Sequence, residues 1–120
     1  MNANELKTRC LDLLGAREDF PFDAETSVFK VGGKMFALSN LKSDPLQVSL
    51  KCDPDFAEHL RRTYPAVTPG YHLAKRHWNT ITLDGSISDE MLIDLIRDSY
   101  DLVVAKLPKV QRAQLANDQV

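Results

Sequence analysis

The chain has 120 residues and a formal net charge of −2, with 43% hydrophobic and 27% charged residues. This length fits one domain with a substantial core, and the charge excludes a polycation that binds every polyanion through bulk charge. No apolar run approaches the roughly 20 residues of a membrane span, and the charged N-terminal segment is unlike a secretory signal. We therefore expect a cytoplasmic protein with a single domain at 1–110 and a frayed polar tail at 111–120.

The N-terminal segment predicts a helix from about Asn4 to Leu14, because apolar residues recur there at helical spacing. Cys10 lies on this apolar stripe, and Cys52 lies on the apolar side of a later strand. Both cysteines are expected to be free thiols of the interior, which fits a reducing compartment. A disulfide between them stays an alternative, because the sequence does not give their distance.

Three strands are predicted next, at Ser27 to Val31, Lys34 to Leu38 and Leu46 to Cys52. The Gly32-Gly33 pair between the first two indicates a tight hairpin, since both turn positions can take positive φ. Strict alternation of apolar and polar residues in the third strand predicts one buried and one exposed face. An extra short strand near Phe22 is an alternative.

A second helix is predicted to start at Asp53-Pro54-Asp55 and to stop before Pro65, because an acidic cap and a first-turn proline favour a helix start and a later proline ends it. Its buried side is expected to carry Phe56, Ala57 and Leu60.

The C-terminal half is predicted to contain an irregular segment at 66–76, a strand from His77 to Leu83 and the longest helix from Ser88 to Leu107, which Pro108 ends. The resulting order is α–β–β–β–α–β–α. Consecutive hairpin strands with helices at both ends predict an α+β fold, in which one twisted antiparallel sheet carries its helices on one face.

Charge is unevenly distributed along the chain. No Asp or Glu lies between His59 and Leu83, although this stretch contains all three histidines, the only tryptophan and several cations. Positive charge attracts phosphates, and planar rings stack on bases or pack in a core. This segregation makes the stretch the leading candidate for a binding surface.

Several short motifs lie along the chain from Cys10 to about Lys109. They are Asp19-Phe20-Pro21-Phe22, Val28-Phe29-Lys30-Val31, Gly33-Lys34-Met35-Phe36-Ala37, Leu50-Lys51-Cys52, Thr68-Pro69-Gly70-Tyr71-His72, Lys75-Arg76-His77-Trp78-Asn79-Thr80 and Ser99-Tyr100-Asp101-Leu102-Val103. With these motifs, of which the Lys-Arg-His-Trp-Asn-Thr block is the most specific, the chain resembles the bacterial MmcQ/YjbR family. The resemblance implies a frataxin-like (CyaY-like) fold, with terminal helices packed on one face of the sheet, and DNA binding through a double wing of two hairpin-like projections.

The candidate nucleic-acid-binding residues are cations and rings that are expected to share the exposed face of the sheet. Cations of this set would contact phosphates, while Trp78 would either stack on an unpaired base or pack against Tyr71 or a long lysine stem. The hairpin lysines would form a wing, or would only keep an edge hairpin soluble. The full set is Lys30, Lys34, Lys51, Tyr71, His72, Lys75, Arg76 and Trp78.

Other functions have weaker support in the sequence. An adaptor that binds a small anionic ligand or peptide at the Pro69–Trp78 loop is the main alternative, and a closed pocket there would favour it. We expect no enzyme, because no nucleophile, base and orienting group recur at a usable spacing. No metal or cofactor is expected either, because His72 and His77 are five residues apart with no cysteine pair at zinc spacing.

Overall fold

The computed structural model describes residues 1–70 and 72–117. No helix in these two ranges is both long and apolar enough to cross a membrane. The elements are α1 Ala3–Leu11, β1 Arg17–Asp19, β2 Thr26–Val31, β3 Lys34–Asn40, β4 Gln47–Lys51, α2 Pro54–Thr63, β5 Val67–Pro69, β6 Trp78–Thr82, α3 Asp89–Ala105 and α4 Lys109–Asn117.

The strands form one six-stranded sheet in the order β1-β2-β3-β4-β6-β5, and every pairing is antiparallel. Buried apolar residues of α1, α2 and α3 form a single core cluster with one side of this sheet. This architecture confirms the predicted α+β class and the antiparallel sheet.

Alternation along the strands gives the sheet a core face and a helix-free face, which we call the open face. Val48 lies opposite Ile81 on the core face, while Ser49 lies opposite Thr80 on the other side. The open face carries its own small apolar cluster, which contains Trp78. A period of two therefore separates a core of aliphatic side chains from a surface of hydroxyls and cations.

The β2–β3 hairpin forms as predicted. Gly32 and Gly33 both have positive φ, at 57° and 78°, which matches a two-residue turn whose twist suits the strands. Gly32 also approaches α3 closely, since a Cβ atom there would lie 2.8 Å from the Leu107 side chain. The hairpin tip is thereby held against the C-terminal end of α3.

Several predicted boundaries were wrong. The short strand near Phe22 lies earlier, at β1, and β5 forms within the segment 66–76 that was expected to be irregular. Each of these strands has three residues, which is too short for a periodic signal, so their neighbours in the sheet determine their conformation. The tail expected to be frayed forms α4 as far as Asn117, and 118–120 lie outside the described residues.

Two further expectations concern single side chains. Phe56 was expected in the core, but it is 40% exposed and its ring stacks on His59. Cys10 is buried, Cys52 is half-buried, and both are free thiols as predicted. Burial raises the pKa of Cys10 to about 12, and burial together with Asp53 and Asp98 raises that of Cys52 to about 11.

Candidate nucleic-acid interface

Three lysines from separate elements converge on one cavity of about 370 Å³, which we call the lysine pocket. Lys34 begins β3, Lys51 ends β4 and Lys106 follows α3. Met35, Trp78 and Val103 supply the rest of the wall, so that within 1–70 and 72–117 no carboxylate lines the cavity. The pocket therefore joins positive charge to an apolar floor.

The lysine pocket lies where β3 and β4 part. These strands pair at Ala37 with Leu50 and at Leu38 with Ser49. The next position is bridged by the fully buried Ser99 of α3. Its hydroxyl accepts a hydrogen bond of 2.8 Å from the Lys51 N–H and donates one of 2.5 Å to the Phe36 carbonyl. Ser99 thus satisfies both backbone groups where the direct ladder stops.

The charges in the lysine pocket are not neutralised nearby. Burial and the Lys106 charge lower the pKa of Lys51 below its ordinary value. Within 1–70 and 72–117, none of the three lysines forms a salt bridge. Like charges held near one another repel, so the approach of Lys106 to Lys51 has an electrostatic cost.

Trp78 follows the packing alternative. It is 7% exposed and packs with Val28 and Leu38, while Met35 and Leu73 cover the cluster. Its predicted packing partner Tyr71 lies outside the described residues. A ring this deeply buried offers little surface for base stacking, so Trp78 forms the wall of the lysine pocket rather than a platform.

The exposed cations Lys75 and Arg76 lie on the loop between β5 and β6. Arg61 of α2 holds this loop from below: its Nε donates to Asn79 Oδ1 at 2.6 Å, and its Nη2 donates to the carbonyls of Trp78 and Lys75. Arg61 lies in the stretch without acidic residues that the sequence indicated as a candidate binding surface. The structure gives it a supporting role instead, and no local pattern indicates contacts 14 to 18 residues away.

Lys30 does not join the other cations. Its ammonium lies 3.0 Å from the Asp19 carboxylate, and this hydrogen bond is the largest cause that lowers the pKa of Asp19. Lys34 lines the lysine pocket, whereas Lys30 does not. Of the two hairpin lysines, Lys30 therefore pairs with Asp19 and Lys34 lines the lysine pocket, so the two ammonium groups do not form a joint wing.

A second cavity, which we call the open-face groove, has a volume of about 410 Å³. His72 lines it in the left-handed region, with φ at 58°, which is uncommon for a residue other than glycine. Asp23 is the one acid that lines the groove, and neither Lys nor Arg does. Further lining residues are Phe22, Leu38, Asn40, Gln47, Leu73 and Thr80.

The predicted site residues thus fall into separate groups. Lys34, Lys51 and Trp78 meet at the lysine pocket, and His72 lies at the open-face groove. Sequence reasoning missed Lys106, because a lysine at the end of an acidic helix does not indicate which residues of other elements lie opposite it. The described part of the chain contains no group of His, Cys, Asp and Glu side chains that could hold a metal ion.

Comparison with known proteins gives a consistent result. The family model described as YjbR matches residues 11–102. The Escherichia coli K12 protein YjbR is 36% identical over 115 residues, which cover 96% of this chain and 98% of the relative. The Escherichia coli O157:H7 protein YbdF is 44% identical over 91 residues, which cover 75% of this chain and 74% of the relative.

Solved structures extend this similarity to the fold. Deinococcus radiodurans protein DR2400, with a domain of the family DUF419, has a TM-score of 0.91 at 45% identity, over 96% of this chain and 88% of that one. A Pseudomonas syringae protein has a TM-score of 0.73 at 26% identity, over 85% of this chain and 98% of that one.

Proposed function

The chain belongs to the YjbR family, and for this member of it we propose nucleic-acid binding in which the lysine pocket holds backbone phosphate. The observation that carries this proposal is the convergence of Lys34, Lys51 and Lys106 around one cavity, in whose wall the described residues place no carboxylate. Folding gains nothing from bringing like charges together. A phosphate group that enters the pocket would turn this repulsion into attraction.

A polymer of phosphates suits the surroundings of the pocket better than a single small anion. Lys75 and Arg76 are exposed and lie shortly before Trp78, whose side chain lines the pocket. Because Arg61 anchors the loop backbone at Lys75 and Trp78, these cations extend the positive surface from a fixed position. Successive phosphates of one strand would meet the pocket and then the loop.

The proposal is tested by titrating a fluorescently labelled oligonucleotide at low salt. The variant Lys34→Gln/Lys51→Gln/Lys106→Gln should bind at least about tenfold more weakly than the wild type, because each lost phosphate contact removes a salt-sensitive contribution. The matched control is Lys42→Gln/Lys109→Gln/Arg112→Gln, which removes the same charge from exposed positions and should have a much smaller effect.

Two results would reject the proposal. The first is that the folded wild-type protein binds no oligonucleotide at low salt. The second is that both triple variants weaken binding equally, since that outcome would show an effect of net charge without a defined site.

The alternative of a small anionic ligand at the Pro69–Trp78 loop has one point in its favour, because the open-face groove touches this loop at His72 and Leu73. The charges there oppose an anion, since Asp23 lines the groove and neither Lys nor Arg does. Asn79, which follows this loop, does not line the groove; its side chain is buried on the core side, where it contacts Arg61 and Ala57. The groove is better suited to a neutral group.

A further inference from the structure

We propose that the open-face groove receives one unstacked base of a single-stranded nucleic acid, while the lysine pocket holds a phosphate of the same strand. This inference rests on the proposed function and adds to it a preference for single strands and a contact with a base.

Both cavities touch the small apolar cluster of the open face. Leu38 and Leu73 line the groove, while Met35 and Trp78 line the lysine pocket. These four side chains belong to a single apolar cluster. One strand could therefore cross the cluster with its phosphate on one side and its base on the other.

The chemistry of the groove suits a base and not a phosphate. Its volume of about 410 Å³ lies in the range of about 300–1,000 Å³ that is usual for sites of small ligands. Asp23 is already committed, because its carboxylate accepts hydrogen bonds from the backbone of Glu25 and from both the backbone and hydroxyl of Thr26. The amides of Asn40 and Gln47 also line the groove. Asn40 Oδ1 accepts from the Lys42 N–H and Gln47 Nε2 donates to the Thr82 hydroxyl, so the second polar atom of each amide is the one that would pair with the edge of a neutral base.

Phe22 and His72 supply the planar groups. Phe22 is 63% exposed although it lines the groove, and an exposed ring beside a concave surface is a suitable stacking platform. His72 adopts its left-handed backbone conformation in the same wall. Backbone conformations of this kind cost free energy and cluster at ligand sites, and here one of them holds His72 in the wall of the groove.

A single strand is expected because the bases of a duplex are stacked and paired. A base can enter a concave groove only after it leaves the stack, which costs a few kcal/mol in a duplex and far less in a single strand. The preference for single strands is therefore a direct consequence of placing the base contact inside a groove.

The test uses three labelled oligonucleotides of about 12 residues: a single strand, the same strand without its bases, and the duplex. The base-bearing single strand should bind roughly 5- to 50-fold more tightly than the abasic strand, which has the same phosphates. Phe22→Ala and Gln47→Ala should each remove most of this difference and leave binding of the abasic strand unchanged. Both residues are exposed, and circular dichroism verifies that the variants fold.

The matched control is Phe20→Ala, which removes a neighbouring ring that is 47% exposed and does not line the groove. This variant should retain the full difference in affinity between the base-bearing strand and the abasic strand. A nucleoside monophosphate added as competitor separates a polymer from a free nucleotide, and it should displace the strand only at far higher concentration.

The outcomes separate the two proposals. If no oligonucleotide binds, the proposed function itself fails. If binding depends on the pocket lysines but the abasic strand or the duplex binds as tightly as the base-bearing strand, the phosphate function stands and the base contact is wrong. The claim that the ligand is a polymer, and not a free nucleotide, is wrong if the nucleoside monophosphate competes as well as the oligonucleotide.

Discussion

Ser99 shows how much a single side chain can determine in this molecule. Its hydroxyl links the Lys51 N–H and the Phe36 carbonyl in a place where no solvent reaches it. Buried backbone groups must be paired, because an orphaned group retains its desolvation penalty. The residue therefore both completes the sheet and fixes the backbone from which the Lys51 side chain leaves.

Replacement of Ser99 by alanine should lower the free energy of unfolding by about 1–3 kcal/mol, because two buried backbone groups lose their partner. Chemical denaturation measures this change. Ser43→Ala provides the control, since Ser43 is exposed and makes a local hydrogen bond to the Pro45 carbonyl. Equal stability of the Ser99→Ala variant and the control would contradict the bridging role.

The buried thiol of Cys10 makes the free energy of unfolding depend on pH in the alkaline range. Burial raises the pKa of its thiol from 9.0 to about 12, so the folded protein keeps a proton that the unfolded chain releases. This contribution to stability is fully present below pH 9.0 and is lost as pH rises toward about 12. Denaturation of wild type and Cys10→Ala across this range should give converging stabilities. Parallel curves would contradict a buried protonated thiol.

Among the elements, the loop between β5 and β6 depends most on its neighbours. Gly70 begins it so close to β6 that a Cβ atom would lie 2.7 Å from that of Trp78. Arg61 of α2 then binds the carbonyls at Lys75 and Trp78. The most specific sequence motif of the chain thus has a structural role in addition to its exposed cations.

Arg61→Gln tests this dependence. The change should lower the free energy of unfolding by about 1–3 kcal/mol, because the buried Asn79 side chain and two carbonyls lose a charged donor. Arg62→Gln is the control: the arginine is 72% exposed and lies 3.9 Å from Glu58, a surface pair worth about 0–1 kcal/mol. If the control destabilises as much as Arg61→Gln in chemical denaturation, Arg61 does not support the loop.

Sequence reasoning succeeded where the signal is local. The Gly32-Gly33 hairpin, the caps of α2 and α3 and the alternation of β4 all follow from neighbouring residues, and each is present. Local signals also place Lys34 beside the hairpin turn and Lys51 at the end of β4, where the structure has them. Lys106 and the open-face groove could not be predicted in this way, because they arise from residues that only the tertiary fold brings together.

At the scale of the whole molecule, the acids on the outer side of α3 lie apart from the lysine pocket, although opposite charges pair elsewhere, as Lys30 and Asp19 do. The outer side of α3 carries a row of acids, and the pKa of Asp98 is raised by burial and by the charges of Asp101 and Asp94. The lysine pocket lies at the far end of this helix, at Lys106. A nearly neutral chain can therefore offer a local positive site to an anionic polymer.

The most direct test of the central claim is the slope of log affinity against log salt concentration for one duplex oligonucleotide. Each phosphate contact contributes about 0.9 to this slope. The wild-type slope should be steeper than that of Lys34→Gln/Lys51→Gln/Lys106→Gln by at least about 1, which corresponds to the loss of one phosphate contact in the lysine pocket. Equal slopes for the two proteins, with both folded, would contradict the claim that this pocket binds phosphate.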